Sequence, residues 1–377
     1  MSSTMSSLDA DLGRGDPTAL RVLLIDASDR GGIARYTSKL REALVDQGTT
    51  VFLAAPVECG DTGLELPLHR WGPDVAKMSK MRLYRLRLAE LGPSAYAFVR
   101  AVRRARPDIV HVQTEVVPRF DHLILRHLSR TVPVVLTAHG PLPDGGAREL
   151  VIQARRWRAA DAVIIHAEEP RRLVESCAPG VPVYVVPVDL RLGGPSVPKE
   201  TARRRMDVPA VPTALLLGQV RPYKGTSLIA KAWPGVIAAV PHARLLVVGE
   251  PFDDGRLDGL VGLEGVEVRR GFIPEADMDV WAAAADVLLL PYHHGSHSGI
   301  LHRGLSAGTP VLASPSLAEE TYRTGAGRVV PLAVQAWTEA LIAALSHDPM
   351  PRPSVPTGCL TAAGTLAVYR NVLECRS

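Results

Sequence analysis

The chain has 377 residues, a length that fits two domains or three. Hydrophobic residues at 46% and charged residues at 22% exclude extended disorder for most of it, because that much apolar surface builds two cores. The 43 basic and 39 acidic residues leave a formal charge of +4, too balanced to point to nucleic acid.

Residues 1–18 are polar and acidic with no apolar centre, so a disordered lead-in is expected there rather than a secretory signal. Beyond them, apolar runs of strand length alternate with amphipathic segments of helix length. Arg21 to Asp26 predicts a buried strand, Thr37 to Gln47 a helix and Thr50 to Ala55 a second strand. Ile109 to Gln113, Val132 to Ala138 and Ala162 to His166 continue the strand series. The runs are continuously apolar, which favours parallel strands covered by helices on both faces. Leu190 to Lys199, rich in Gly and Pro, is the expected linker. A second series follows, with strands at Thr213 to Leu217, Ala243 to Val248, Val266 to Arg269, Val287 to Pro291 and Pro310 to Ala313. Helices at Lys224 to Val240, Glu275 to Ala285 and Gly299 to Ala307 lie between them. The fold class expected is α/β, with doubly wound domains at residues 19–190 and 191–356. Residues 357–377 hold a last helix from Leu360 to Leu373.

Neither first strand is followed by G-x-G-x-x-G, which lowers the odds of a dinucleotide oxidoreductase. Cys59, Cys177, Cys359 and Cys375 are scattered, which suits a reducing cytoplasm and argues against a structural zinc site. No run reaches the roughly 20 apolar residues that span a bilayer. The segment Lys77 to Arg106 is strongly basic with interleaved leucines. It could give a weak association with an anionic membrane surface, but the solvated face of two helices is the plainer reading.

The strongest local signal is Gly218-Gln219-Val220-Arg221-Pro222-Tyr223-Lys224-Gly225, set between an apolar strand and a helix. Free N–H groups at a helix start, two cations and glycines that admit close backbone approach could hold a diphosphate without a metal. Read in isolation, the same residues would be a solvated basic turn.

From Leu215 onward, LLLGQVRPYKGTSLIAKAW, PHARLLVVGEP, VEVRRGFIPEADMDVWAAAADVLLLPY and SGILHRGLSAGTPVLAS follow in order the C-terminal half of glycosyltransferase family 4. DRGGIARYTSKLREALVDQGTTV, RPDIVHVQTE, VVLTAHGP and DAVIIHAEEPRRL resemble its N-terminal half, and AVYRNVL its terminal helix. The resemblance spans roughly residues 20 to 375. It implies the GT-B fold, with two Rossmann-like domains facing an interdomain cleft and the terminal helix crossing back to the first domain. It also implies a retaining, metal-independent transferase that moves a sugar from a nucleotide-diphosphate sugar to an acceptor hydroxyl, with no cofactor beyond that co-substrate.

By the same resemblance, Gly31 and Gly32 face the donor diphosphate, as do Arg221, Lys224 and the helix start at Ser298, Gly299 and Ile300. His139 is the catalytic candidate, and the nucleotide base lies along Phe272 and Ile273. Glu115 is a cleft-edge carboxylate for the acceptor, whose pocket is expected from Glu58 to Pro73 and Leu142 to Arg148. His166, Glu168 and Arg171 are expected to be structural.

The chain also departs from the family. Two glutamates usually stand eight positions apart, one on the donor sugar and one on the ribose; here the positions hold Gly295 and Arg303. Gln219 stands where the phosphate loop usually has arginine, and Arg221 could replace it. His294 and His297, beside His293, either contact the donor sugar in place of the missing glutamate or form a solvated polar loop. No carboxylate or cysteine in the local sequence completes a metal site with them. Losing the ribose carboxylate makes a dTDP-linked donor plausible beside UDP- and GDP-linked ones. Acceptors from small molecules to glycans stay open. So do two other readings: a degenerate GT-B partner protein and a GT-B sugar-nucleotide epimerase.

Overall fold

The structure, a computed structural model, describes residues 19–28, 31–55, 65–67, 99, 102–103, 105–115, 120–140, 147–189, 197–250, 257, 259–295, 297–346, 350, 353 and 360–376. Most of the basic segment (Lys77, Lys80, Arg82, Arg85, Arg87, Arg100 and Arg104) lies outside the described residues, as do most of the two expected acceptor loops and of the linker. The chain divides into two compact units, residues 1–190 with 359–377, and residues 191–358. Among the described residues, no helix is long and apolar enough to cross a membrane.

Unit 1 runs β1 (Arg21–Ile25), α1 (Gly32–Asp46), β2 (Thr50–Ala55), β3 (Glu65–Pro67), β4 (Ile109–Val112), α2 (Asp121–Leu128), β5 (Val134–Thr137), α3 (Ala147–Trp157), β6 (Ala162–Ile165), α4 (Arg171–Cys177) and β7 (Val183–Val185). Its strands pair in parallel in the order β3-β2-β1-β4-β5-β6-β7. The order reverses between β1 and β4, and in such sheets ligands bind beyond the carboxyl ends of the strands at that point. Helix α1 begins at Gly32, five residues before the predicted start. Its N-cap, Gly31, has φ +91°, a conformation that L side chains rarely adopt.

Unit 2 runs α5 (Lys199–Met206), β8 (Thr213–Leu217), α6 (Thr226–Ala239), β9 (Arg244–Gly249), β10 (Val266–Arg270), α7 (Glu275–Ala284), β11 (Val287–Leu290), α8 (Gly299–Ala307), β12 (Val311–Ala313), α9 (Ala318–Thr324), β13 (Gly327–Val329) and α10 (Val334–Leu345). Its parallel order is β10-β9-β8-β11-β12-β13, reversing between β8 and β11. Successive residues of β8, β9, β11 and β12 enter opposite cores. Leu215, Leu217, Leu246, Leu288 and Leu290 face one; Ala214, Leu216, Leu245, Val287 and Leu289 face the other. Burial on both faces is why these strands read as unbroken apolar runs. The predicted helix from Lys224 is interrupted. Pro222–Lys224 form a 3-10 turn, and Gly225 at φ +66° breaks it from α6. A Cβ on Gly225 would come within 2.0 Å of the Pro291 carbonyl oxygen, so no other residue fits.

The last helix, α11 (Leu360–Glu374), belongs to unit 1. Asp189 accepts hydrogen bonds from the amides of Leu360 and Thr361, each at 2.8 Å, and so caps a helix start about 170 residues away. Tyr369 of α11 is buried and its hydroxyl lies 2.6 Å from His111 Nδ1 on β4.

Candidate active site

In unit 2, β8 ends at Leu217, and three elements meet at Gly218 just beyond it. A Cβ added to Gly218 would stand 3.5 Å from Lys224 Nζ, 3.6 Å from Ile300 Cδ1 of α8 and 3.8 Å from Met278 Cε of α7. Gly218 has φ +89°. The Lys224 amine lies 3.5 Å from the Leu217 carbonyl and 5.6 Å from the centroid of the Tyr292 ring. Burial, and after it the charge of Arg221, push its pKa down to about 8. Arg221 is exposed, and its Nε donates to Gln219 Oε1 at 2.9 Å. The residue standing at the family's arginine position therefore orients a neighbouring arginine. Tyr223 stacks edge-on against Tyr292 at 5.3 Å and lies 5.1 Å from His294.

The start of α8 holds a group that no local pattern in the sequence reveals. Glu320 of α9 is buried and accepts from the Ser298 amide at 2.8 Å, with His302 Nε2 2.8 Å from its other oxygen. Burial pushes the Glu320 pKa up, but His302, His297 and the Ser298 amide outweigh it and hold the carboxyl below its ordinary value. His297 is pushed down by burial, against the pull of Glu320. A carboxylate does stand among these histidines, contrary to the sequence reading, because it arrives from a helix about 20 residues on. Among the described residues, no three His, Cys, Asp or Glu side chains form a metal-ligand group. The Ser298 amide is spent on Glu320 and the Leu301 amide on the Ser298 hydroxyl, which leaves Gly299 and Ile300 as the first-turn amides with no acceptor inside the helix.

Arg303 is buried, and its guanidinium bridges Asp279 Oδ1 at 2.6 Å and Glu275 Oε1 at 2.5 Å, both on α7. Arg303, expected from the sequence in the donor sugar and nucleotide site, is thus held in internal ion pairs. Phe272 is 60% exposed, and Ile273 packs against the core beside it.

In unit 1 the strand ends are joined by a continuous hydrogen-bond chain. Tyr369 bonds His111 Nδ1, and His111 Nε2 lies 2.7 Å from Thr137 Oγ1 and 3.1 Å from Gln113 Nε2. Gln113 Oε1 is 2.9 Å from His139 Nε2, His139 Nδ1 is 3.2 Å from His166 Nε2, and His166 Nδ1 is 2.9 Å from the Val186 carbonyl. That carbonyl only accepts, so His166 Nδ1 carries a proton. With Gln113 oxygen toward His139, the two histidines together hold one extra proton; with its amide turned over, both are neutral. Both ring nitrogens of His139 are engaged inside unit 1, which is not the arrangement of a free base. His166 links His139 to the Val186 carbonyl, and Arg171 pairs with Glu168 at 2.6 Å on the surface. Burial pushes the pKa of His111 down to about 3.

Asp26, at the end of β1, accepts from the Ser28 amide, from Thr37 Oγ1 on α1 and from Thr114 Oγ1 beyond β4. It fastens the glycine loop to the sheet. A Cβ on Gly31 or Gly32 would meet no atom within 4 Å, so their outward side is open. Glu115 is engaged by Gln153 at 2.9 Å and Arg156 at 3.2 Å; burial raises its pKa against the pull of Arg156.

Residues 30–188 match the family described as Glycosyltransferase Family 4, and residues 211–347 match Glycosyl transferases group 1. Residues 30–188 thus carry the sequence of a glycosyltransferase family 4 domain and residues 211–347 that of a glycosyltransferase group 1 domain. It is 26% identical over 289 residues to a D-inositol 3-phosphate glycosyltransferase of Kineococcus radiotolerans, covering 67% of this chain and about two thirds (66%) of the relative. It is 36% identical over 166 residues to a phosphatidyl-myo-inositol mannosyltransferase of Mycobacterium leprae, 42% of either chain. In structure it resembles the catalytic domain of starch synthase IV from Arabidopsis thaliana bound to ADP and acarbose. That match has a TM-score of 0.67 and 13% identity and covers 95% of this chain and 99% of the other. This last likeness concerns the fold, which is of the GT-B type.

Proposed function

We propose that the protein is a retaining glycosyltransferase that takes a sugar from a nucleoside-diphosphate sugar, with unit 2 binding the nucleotide and unit 1 the acceptor. The observation that carries this reading is the meeting at Gly218 of a half-buried lysine and the start of α8, with Arg221 close enough to lower that lysine's pKa. Such a cradle offers two positive charges and outward amides to a diphosphate, with no side chain on Gly218 to hold it off. The same groups stabilise the diphosphate as it leaves. The bond from the anomeric carbon to the phosphate oxygen breaks, the acceptor oxygen bonds to that carbon on the same face, and the acceptor proton passes to a phosphate oxygen. The cations supply the charge that a metal supplies elsewhere, so the reading includes metal independence. His139, with both nitrogens engaged, is read as a positioning group rather than a proton carrier.

Calorimetry with UDP, GDP, ADP and dTDP tests the nucleotide site, and NMR of the product tests the anomeric outcome. Binding of none of the four diphosphates, or an inverted product, would sink the reading. A second reading, a catalytically degenerate GT-B partner protein, is favoured by Gly295 and Arg303 standing where the family carries carboxylates. It predicts nucleotide binding with no sugar transfer and no donor hydrolysis.

A further inference from the structure

We infer that the outward faces of α2 and α3 in unit 1 form a docking surface for an anionic lipid bilayer. The inference concerns where unit 1 rests and stands apart from the sugar-transfer reading.

The inner sides of the two helices are spent on the core: Leu125 and Leu128 of α2 and Ala154 and Trp157 of α3 join one buried cluster. The helices also pack on each other, and the buried Asp121 of α2 pairs with the buried Arg156 of α3 at 3.4 Å. Their outer sides therefore face solvent next to one another. Leu123 stands on the outer side of α2, with Phe120 three positions before it on the same side, and Val151 stands on that of α3. Phe120, Leu123 and Val151 are 41%, 57% and 52% exposed. Over residues 120–130 and 147–158 the exposed charged or titratable side chains are Arg126, His127, Arg130, Arg148, Arg155 and Arg158, with no carboxylate among them. Among the described residues, Arg126, Arg130, Arg148 and Arg155 have no ion-pair partner. Glu149 is half-buried, and Glu115 is engaged with Arg156. The basic face ends at α4, which packs beside α3 and whose Arg171 pairs with Glu168 and Glu175.

Unpaired arginines suit any polyanion, and the three apolar side chains among them select between polyanions. A nucleic acid backbone offers nothing to Leu123 and Val151. An anionic bilayer serves both kinds of side chain along one plane, with headgroup phosphates for the guanidinium groups and the acyl boundary for Phe120, Leu123 and Val151. The long arginine stem lets the charge stay with the phosphates while the apolar side chains enter. The placement also fits the fold. Helices α2 and α3 follow β4 and β5, which pair in parallel, so both begin at the carboxyl ends of their strands. Phe120, Leu123 and Val151 lie at or within two turns of those starts. Docking through them holds the ligand-binding edge of the sheet close to the headgroups.

The test is sedimentation of the full chain with vesicles of phosphatidylcholine alone and of phosphatidylcholine mixed equally with phosphatidylglycerol. The wild type is expected to sediment with the mixed vesicles at low salt and to stay in solution with phosphatidylcholine alone. Arg126→Gln with Arg155→Gln is expected to weaken binding by about 20-fold, roughly fivefold for each arginine. Leu123→Ser is expected to weaken it several-fold, and a melt of each variant checks the fold, which substitutions at exposed positions preserve. No binding of the wild type to the mixed vesicles overturns the inference. So does binding that survives both the arginine pair and Leu123→Ser, because the docking then lies elsewhere on the chain. Binding to a single-stranded DNA oligonucleotide as tight as to the vesicles, weakened by the arginine pair and untouched by Leu123→Ser, makes the face a general polyanion site and overturns it too.

Discussion

At the strand ends of unit 2, like charges are brought together: Arg221 lies close enough to Lys224 to lower its pKa, and the Lys224 amine and the start of α8 meet at Gly218. At the same ends in unit 1, the polar groups satisfy one another. Asp26 is bonded to three elements, and His111, Gln113, His139 and His166 form a chain that closes on the Val186 carbonyl. Two sheets of the same topology thus use their switch points differently. One sets a second cation against a half-buried amine, which lowers that amine's pKa and suits an anion. The other spends its polar groups on fixing backbone, as a surface that must keep its shape requires. The two units should therefore respond in opposite ways to pH and to mutation.

The largest expected effect is on the acid side of unit 1. His111 has a pKa of about 3 in the folded chain, against about 6.5 unfolded. A base whose folded pKa is depressed gives its full stability above pH 6.5, and that stability is lost as pH falls toward 3. Denaturant unfolding at stepwise lower pH should show a loss approaching 1.4 kcal/mol per pH unit in that window from this group. His111→Gln, which keeps hydrogen-bonding capacity and does not titrate, should flatten that limb. An unchanged slope in the variant would remove His111 from the account.

Next is the cradle itself. Lys224→Ala should weaken UDP or GDP binding by about 1.5–3 kcal/mol, a charged hydrogen bond's worth, with no loss of melting temperature, because a half-buried amine with a lowered pKa is a burden on the fold. Loss of the fold together with the affinity would reverse the contrast between the units.

Smaller again is the alkaline response of unit 2. Lys224 discharges as pH rises through about 8, while Arg221 stays charged. Diphosphate affinity should fall by up to about tenfold between pH 7 and 9, and Lys224→Arg should abolish that dependence. Calorimetry at the two pH values reads this directly.

How much of this was legible depended on sequence distance. The strands were legible because burial on both faces leaves unbroken apolar runs, and Lys224, Arg221 and Gly218 because one strand-turn-helix segment carries all three. The fate of Arg303 was not, since its partners lie 24 and 28 positions upstream on a different helix. Glu320 was missed for the same reason, 22 positions from the Ser298 amide it binds. His139 was legible as a strand-end residue, but Gln113 and His166 on either side of its ring were not, because they come from other strands. A local pattern shows which residues sit at a strand end and leaves open whether their neighbours have already claimed them.

The smallest expected effect concerns the longest of these connections. Tyr369 meets His111 across 258 positions of sequence, at 2.6 Å and with both groups buried. Removing the hydroxyl in Tyr369→Phe keeps the ring, its edge-on packing against His111 and the apolar contacts of α11. The loss is one buried hydrogen bond, about 1 kcal/mol, and it leaves His111 Nδ1 with a partner fewer. Two outcomes then separate a structural tie from a linked network. If the bond only fastens α11, Tyr369→Phe lowers stability and leaves the histidine resonances of His139 and His166 where they were. If the chain through Gln113 is coupled, losing the tyrosine frees His111 to change tautomer, Gln113 turns over in response, and the proton placement on the His139 and His166 rings changes with it. Nitrogen-15 imidazole spectra across pH 5 to 8 distinguish the two. A shift in both distant rings from the loss of one hydroxyl would show that unit 1 holds its strand ends as a single network.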